Sequence, residues 1–170
     1  SGIDLVQVGS FVNPQKVPQM ADTDTLFREI GTRGLGKRGC TFTALVLNEK
    51  GLERGLVCGV EYFCMGVSAS DTHSRRNTGM GTAEAADRIV AMGRQALAAG
   101  KGVQLSVQSA FGCGFEGAVP SARVLDLVRR FADAGLTTVS LADTAGHAHP
   151  AQVESLVGAV RGIDDRLALT

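Results

Sequence analysis

Apolar residues along this chain gather into short, mostly unbroken runs at 3–8, 40–47, 60–67, 103–107, 137–141 and 166–169. Runs of that length without polar alternation predict parallel strands covered on both faces. Between them the period changes. Val124, Leu127, Val128 and Phe131 follow i, i+3, i+4, i+7 spacing, and so do Val153, Leu156, Val157 and Val160, which predicts two amphipathic helices. Gly100, Gly135 and Gly162 fall where a left-handed residue would close a helix, and Thr82 and Ser121 fall where a hydroxyl would cap one. Strand and helix alternate from end to end, the rhythm of an α/β fold with a parallel sheet.

The connections are unequal. Those leading into strands are short and plain (AAGKG, DAGL, RGIDD). Those leaving strands are long and chemically varied: GSFVNPQKVPQM, NEKG, SASDTHSRRNTGMGT, QSAFGCGFEGAVPS and ADTAGHAHP. In barrels and open sheets alike, ligands collect at the carboxyl ends of parallel strands. The chain therefore has a functional end and a structural end. The glycine-rich, basic GTRGLGKRG precedes a strand and falls on the structural one.

Composition narrows the function. The 170 residues carry 17 basic and 17 acidic side chains, a net charge of zero that gives no electrostatic case for binding nucleic acid or an anionic membrane. The four cysteines (Cys40, Cys58, Cys64, Cys113) show no CxxC spacing, which predicts free thiols in a reducing compartment. With no long apolar run and no signal-peptide pattern, the expectation is a cytoplasmic protein of one domain, residues 1–170, with no internal linker.

The strand-end segments hold the candidate chemistry. SASDTHSRRN, read as a loop, offers Arg76 and Asn77 among groups able to pair an anion or hydrogen-bond a carbonyl. In LADTAG, Asp143 could orient a ligand, exchange a proton or cap the following helix, and Ser140 precedes it on the strand. His147 and His149 have the look of a metal pair, but they sit before Pro150, which most simply opens a helix. Cys113 lacks an adjacent His or Lys to draw out a thiolate. There is no GxGxxG after the first strand and no GxxxxGK[ST], so dinucleotide and P-loop readings fail.

Taken in order, SFVNPQKVPQMADT, SASDTHSRRN, FGCGFEG and VSLADTAG resemble the 3-hydroxy-3-methylglutaryl-CoA lyase family, within a metallolyase superfamily that includes isopropylmalate and citramalate synthases. The resemblance implies a (β/α)8 TIM barrel, of which this chain would supply about the second to the seventh strand. It implies metal-assisted retro-Claisen cleavage of a 3-hydroxyacyl-CoA to acetyl-CoA and a ketoacid, with Mg2+ or Mn2+ as the cation. An acyl-CoA substrate and a homodimer go with it, and neither nucleic acid nor membrane. The alternatives are a Claisen-type synthase of the same superfamily and a barrel without catalysis.

By position, the resemblance makes Asp143 and Ser140 the catalytic candidates and Asn77, Ser10 and Gln7 substrate contacts; Asn48 and Arg76, in segments that leave strands, join them as substrate candidates. Three positions depart from its pattern. Gln7 stands for a glutamate, Ser106 for a tyrosine and Gln104 for an arginine, so the acyl group accepted is expected to differ. The metal ligands implied by the resemblance have no counterpart in these 170 residues. The expectation is that this stretch alone neither binds the metal nor turns over.

Overall fold

The computed structural model describes residues 3–35 and 39–170, so Gly36–Arg38 of the basic glycine-rich segment lie outside the described residues. Six strands are hydrogen-bonded in chain order: β1 (Leu5–Ser10), β2 (Thr41–Leu45), β3 (Tyr62–Ser68), β4 (Gly102–Gln108), β5 (Thr138–Leu141) and β6 (Ala168–Leu169). The intervening helices are α1 (Thr23–Thr32), α2 (Glu49–Val57), α3 (Asp71–Thr78), α4 (Thr82–Ala98), α5 (Ser121–Asp133) and α6 (Pro150–Arg161). Every expected strand is present, within two residues at either end. The β1/β2, β2/β3, β4/β5 and β5/β6 pairs are parallel. The chain clusters into two compact units, Ser1–Met65 with Gln95–Val103 and Gly66–Arg94 with Gln104–Thr170.

In the first unit the core gathers around aromatic rings. Phe11, just past β1, and Phe27 of α1 are buried with ring centroids 5.6 Å apart. Phe63 of β3 lies over Gly55 of α2, where a Cβ would come within 2.5 Å of its ring edge. Gly51, one turn earlier, lies so close to the segment after β1 that a Cβ would meet the Phe11 carbonyl at 2.5 Å. Two glycines thus let α2 settle directly on aromatic and backbone surface. Burying each phenylalanine contributes about 2–3 kcal/mol.

In the second unit, α5 buries Val124, Leu127, Val128 and Phe131, the four positions that its periodicity predicts. The α6 pattern is only half realised: Leu156 and Val160 are buried, but Val153 is exposed. Gly93 of α4 receives Leu136, whose branch would lie 2.8 Å from an added Cβ. β4 departs from the two-sided burial expected of its run. Val103, Leu105 and Val107 are buried, while Gln104, Ser106 and Gln108 alternate with them on a half-buried polar face.

Helix ends correct several local expectations. Gly100 and Gly135 are left-handed, but Gly162 is right-handed, because the chain beyond α6 continues into another turn through Ile163. Thr82 and Ser121 are each the first residue of their helix and not its cap, and Pro120 occupies the cap position of α5. Asn48, Ser70 and His149 do cap, each accepting an amide of the helix it opens.

Candidate active site

The carboxyl ends of β3, β4 and β5 carry the densest polar chemistry of the second unit. β3 ends at Ser68, whose Oγ accepts the Ser70 amide at 3.1 Å. Ser70 Oγ in turn accepts the His73 amide at 3.1 Å, starting α3. The segment expected to be a loop is therefore a helix. Its residues have no apolar stripe to betray it, and the cap supplies the start signal instead. Asp71 looks both ways, taking Arg75 at 2.7 Å and the Thr82 amide that opens α4 at 2.9 Å. The amide and then the guanidinium hold its carboxyl below the usual range.

Asn77 and Arg76 are exposed on α3. Arg76 lies over the ring of Phe115, 4.2 Å from its centroid, and His73 stacks on the same ring at 6.4 Å. Phe115 belongs to a tight turn closed by reciprocal 2.8 Å hydrogen bonds between Cys113 and Gly117. Glu116 of that turn reaches back to accept the Thr72 amide at 2.6 Å and pairs with Arg123 at 3.4 Å. The Thr72 amide is the main reason that its carboxyl titrates low. Burial pushes the Cys113 thiol up, but hydrogen bonds from Ser70, Phe115 and Glu116 outweigh it and leave its pKa lowered.

β5 delivers the other candidates. Ser140 pairs with Ser106 across the β4/β5 ladder, so two half-buried hydroxyls face one side of the sheet. A Cβ at Gly66 of β3 would come within 3.4 Å of Ser106 Cβ and 3.2 Å of Gln108 Nε2, so that face stays open only with glycine there. Past the strand, Asp143 accepts the amides of His147 at 2.9 Å and Ala148 at 3.0 Å. Those amides, Ala148 first, hold the carboxyl below its ordinary pKa. The β5 end is pinned to β4 by Ala142 N–H to Val107 O at 3.0 Å, Ala110 N–H to Ala142 O at 3.1 Å and Ser109 N–H to Thr144 Oγ1 at 2.8 Å. Asp143 is thus held between two anchored neighbours.

The other three candidates belong to the first unit. Ser10 is buried; its Oγ donates to Leu45 O at 3.4 Å and its carbonyl accepts Thr23 Oγ1 at 3.2 Å. Asn48 spends its side-chain oxygen on the Gly51 amide at 2.9 Å. Gln7 is exposed on β1 opposite Thr43, just before the ladder slips by one residue. The motif VNPQKVPQM folds into a turn at Asn13 and a short 3-10 helix at Pro18–Met20.

Among the described residues, no three His, Cys, Asp or Glu side chains converge as a metal site. His149 Nδ1 accepts the Gln152 amide at 3.4 Å as the cap of α6, and the His147 ring lies against Gly112. The divalent ion implied by the resemblance therefore does not fit the donors described here. Sequence reasoning also missed Ser109. It is buried, has a left-handed φ of 55°, and has an Oγ without a hydrogen-bond partner among the described residues. No local pattern announces such a residue.

Comparison with known proteins agrees with this architecture. The HMGL-like family model matches residues 2–166. A (R)-citramalyl-CoA lyase of Chloroflexus aurantiacus is 35% identical over 98% of this chain and 54% of its own length. A crystal structure of HMG-CoA lyase from Bacillus subtilis superposes with a TM-score of 0.90 at 32% identity, covering 99% of this chain and 56% of that one. An HMG-CoA lyase from Acinetobacter baumannii, in complex with coenzyme A and 3-methylmalate, superposes with a TM-score of 0.86 at 28% identity, over 98% of this chain and 53% of that one. The chain spans about half the length of the curated relatives it matches. Its six strands and alternating helices are TIM-barrel elements, as the sequence led us to expect.

Proposed function

The chain belongs to the HMGL-like family, and we propose that the protein containing it is a carbon–carbon lyase. It cleaves a 3-hydroxyacyl-CoA to acetyl-CoA and a ketoacid by retro-Claisen chemistry. The observation that carries this reading is Asp143, a carboxylate fixed by two amides past the end of β5, three residues along the chain from Ser140, which pairs with Ser106. The names of the relatives, lyases of hydroxymethylglutaryl-CoA and citramalyl-CoA, support it.

Amide hydrogen bonds favour the charged carboxylate, so its role here is to orient the substrate and supply charge. Asp143 accepts the hydrogen bond of the substrate's 3-hydroxyl; as C2–C3 breaks, that hydroxyl's proton passes to a base of the complete protein, C3 becomes the ketone carbon and the departing acetyl-CoA enolate takes up a proton at carbon. Ser140 donates to the departing acyl portion. Arg76 and Asn77, exposed on α3, hold the coenzyme A portion by charge and amide hydrogen bonding. Ser10, Gln7 and Asn48 are the acyl contacts proposed for the first unit. Mg2+ or Mn2+, a homodimer and a cytoplasmic location are proposed for the complete protein. No helix among the described residues is long and apolar enough to cross a membrane.

A citramalyl-type substrate is the second reading. It is favoured by the 35% identity to that lyase and by the uncharged Gln7, Gln104 and Ser106. The test is acyl-CoA cleavage by the complete protein, comparing hydroxymethylglutaryl-CoA, citramalyl-CoA and, in the synthetic direction, acetyl-CoA with 2-oxoacids. Cleavage of either lyase substrate with release of acetyl-CoA is expected. Condensation without cleavage would replace the lyase reading with a synthase, and activity in neither direction would remove both.

A further inference from the structure

Among the described residues, three buried side-chain atoms lack a hydrogen-bond partner: His73 Nδ1, Ser74 Oγ and Ser109 Oγ. Buried polar atoms are nearly always paired, so each calls for an explanation. Ser109 calls for one most strongly, because it departs from expectation twice. Its side chain is buried with an orphaned hydroxyl, and its backbone sits at φ 55°, a region that L side chains avoid. It is the only residue other than glycine with positive φ among the described residues.

Glycine at 109 would relieve the backbone, and alanine would remove the unsatisfied oxygen. The cheapest solutions for a free-standing fold are therefore two residues that the chain does not use. The position is also well held: its amide donates to Thr144 Oγ1, next to Asp143, and Gln108 just before it takes the Ala69 amide on its carbonyl. A costly conformation fixed by its neighbours, at a strand's carboxyl end, is a recurrent mark of a functional position.

We propose that Ser109 engages the substrate: its hydroxyl gains its hydrogen-bond partner only when an acyl-CoA enters, and contributes to positioning the acyl group beside Asp143. This rests on the acyl-CoA reading above. In the free protein the oxygen is closed to solvent, so binding entails a small opening of the Ser109–Thr144 junction. Ser109 therefore stands at the cost of free-state stability.

The test compares Ser109→Ala and Ser109→Gly with the unaltered complete protein. Two measurements are made: thermal midpoints with and without hydroxymethylglutaryl-CoA or citramalyl-CoA, and steady-state cleavage of each. Both variants are expected to melt at or above the unaltered protein when free. Both should show a smaller ligand-induced rise in midpoint and a kcat/KM lower by about tenfold, the worth of one good hydrogen bond. A fall in the free midpoint of Ser109→Ala would show that the hydroxyl has a structural partner and would overturn the proposal. So would a kcat/KM within twofold of the unaltered protein. If the unaltered protein binds these thioesters without cleaving them, the lyase reading fails while the midpoint shifts still decide Ser109. If it does not bind them at all, both fail.

Discussion

The segment that follows β1 and the turns that follow β4 and β5 are similarly elaborate in sequence, yet they use their polar groups in opposite ways. After β1, several polar groups are spent within the protein. Asn13 closes its own turn onto Gln15, Lys16 and Val17; Thr23 Oγ1 donates to Ser10 and Met20; Arg54 reaches the Val12 carbonyl at 3.1 Å and pairs with Asp24. After β4 and β5, carboxylates are held by amides while a hydroxyl at Ser109 goes unpaired. The contrast teaches that ornament in a strand-end loop is not itself a sign of function. What separates a wall from a site is whether hydrogen-bonding capacity is spent within the protein or kept in reserve.

Four substitutions would break or sharpen this contrast, and each is a prediction for the complete protein. The largest effect is expected at Asp143, where Asp143→Asn removes the charge and one of the two oxygens that accept the His147 and Ala148 amides. It should lower kcat by about a thousandfold, read as acetyl-CoA release, while the lost amide acceptor lowers the midpoint of unfolding only modestly. Activity within tenfold of the unaltered protein would return Asp143 to a purely capping role.

Next comes Gly51→Ala in the first unit, which forces a methyl to 2.5 Å from the Phe11 carbonyl. Because backbone must move, a loss of about 3 kcal/mol is expected in urea unfolding, without a change in kcat of the folded enzyme. An equal fall in kcat would show that the first-unit segment, whose Ser10 and Asn48 are proposed to hold the acyl group, also bears on bond breaking.

Arg54→Ala should cost about 2 kcal/mol, since the pair with Asp24 is only partly exposed and the guanidinium also lies over Phe11. Here pH supplies a second check. Arg54 holds the Asp24 carboxyl below its ordinary 3.8, so the pair stabilises above that value and the contribution is lost as pH falls through the lower folded pKa. Urea midpoints at pH 3 and pH 6 should therefore differ less in Arg54→Ala than in the unaltered protein.

The smallest effect concerns Asn48. Loss of its cap in Asn48→Ala should cost about 1 kcal/mol, and Asn48→Ser should restore it. If the serine variant restores stability but binds acyl-CoA more weakly, Asn48 serves the ligand as well as the helix.

The strands were legible in the sequence because an aliphatic run marks a buried segment without reference to distant partners; their order in the sheet came only with the family resemblance. α5 was legible for the same reason, as its four apolar positions met one surface. α3 was not, because SDTHSRRNT carries no apolar face and is started by a cap that looks like ordinary loop polarity. Thr82 and Ser121 were misplaced by one residue, since the preceding backbone, Pro120 in one case, takes the cap position. Asp143 was recognisable at its strand end, but its amide partners were not. The Ser109–Thr144 hydrogen bond, across 35 residues, is beyond any local reading. It exists only once β4 and β5 are side by side.

Gly9 lies so near Thr23 that an added Cβ would meet Cγ2 at 2.7 Å, while Thr23 Oγ1 serves both Ser10 and Met20. The order in which mutations arrive at these two sites therefore matters. A lineage that first exchanges Thr23 for serine keeps the hydroxyl and removes the 2.7 Å contact, leaving a 3.0 Å approach to Oγ1 that a small shift relieves when alanine arrives at 9; taken the other way round, the first step collides with the methyl. Gly9→Ala and Thr23→Ser should be strongly non-additive in stability, so that one path between the same two sequences stays open to descent while its reverse is closed.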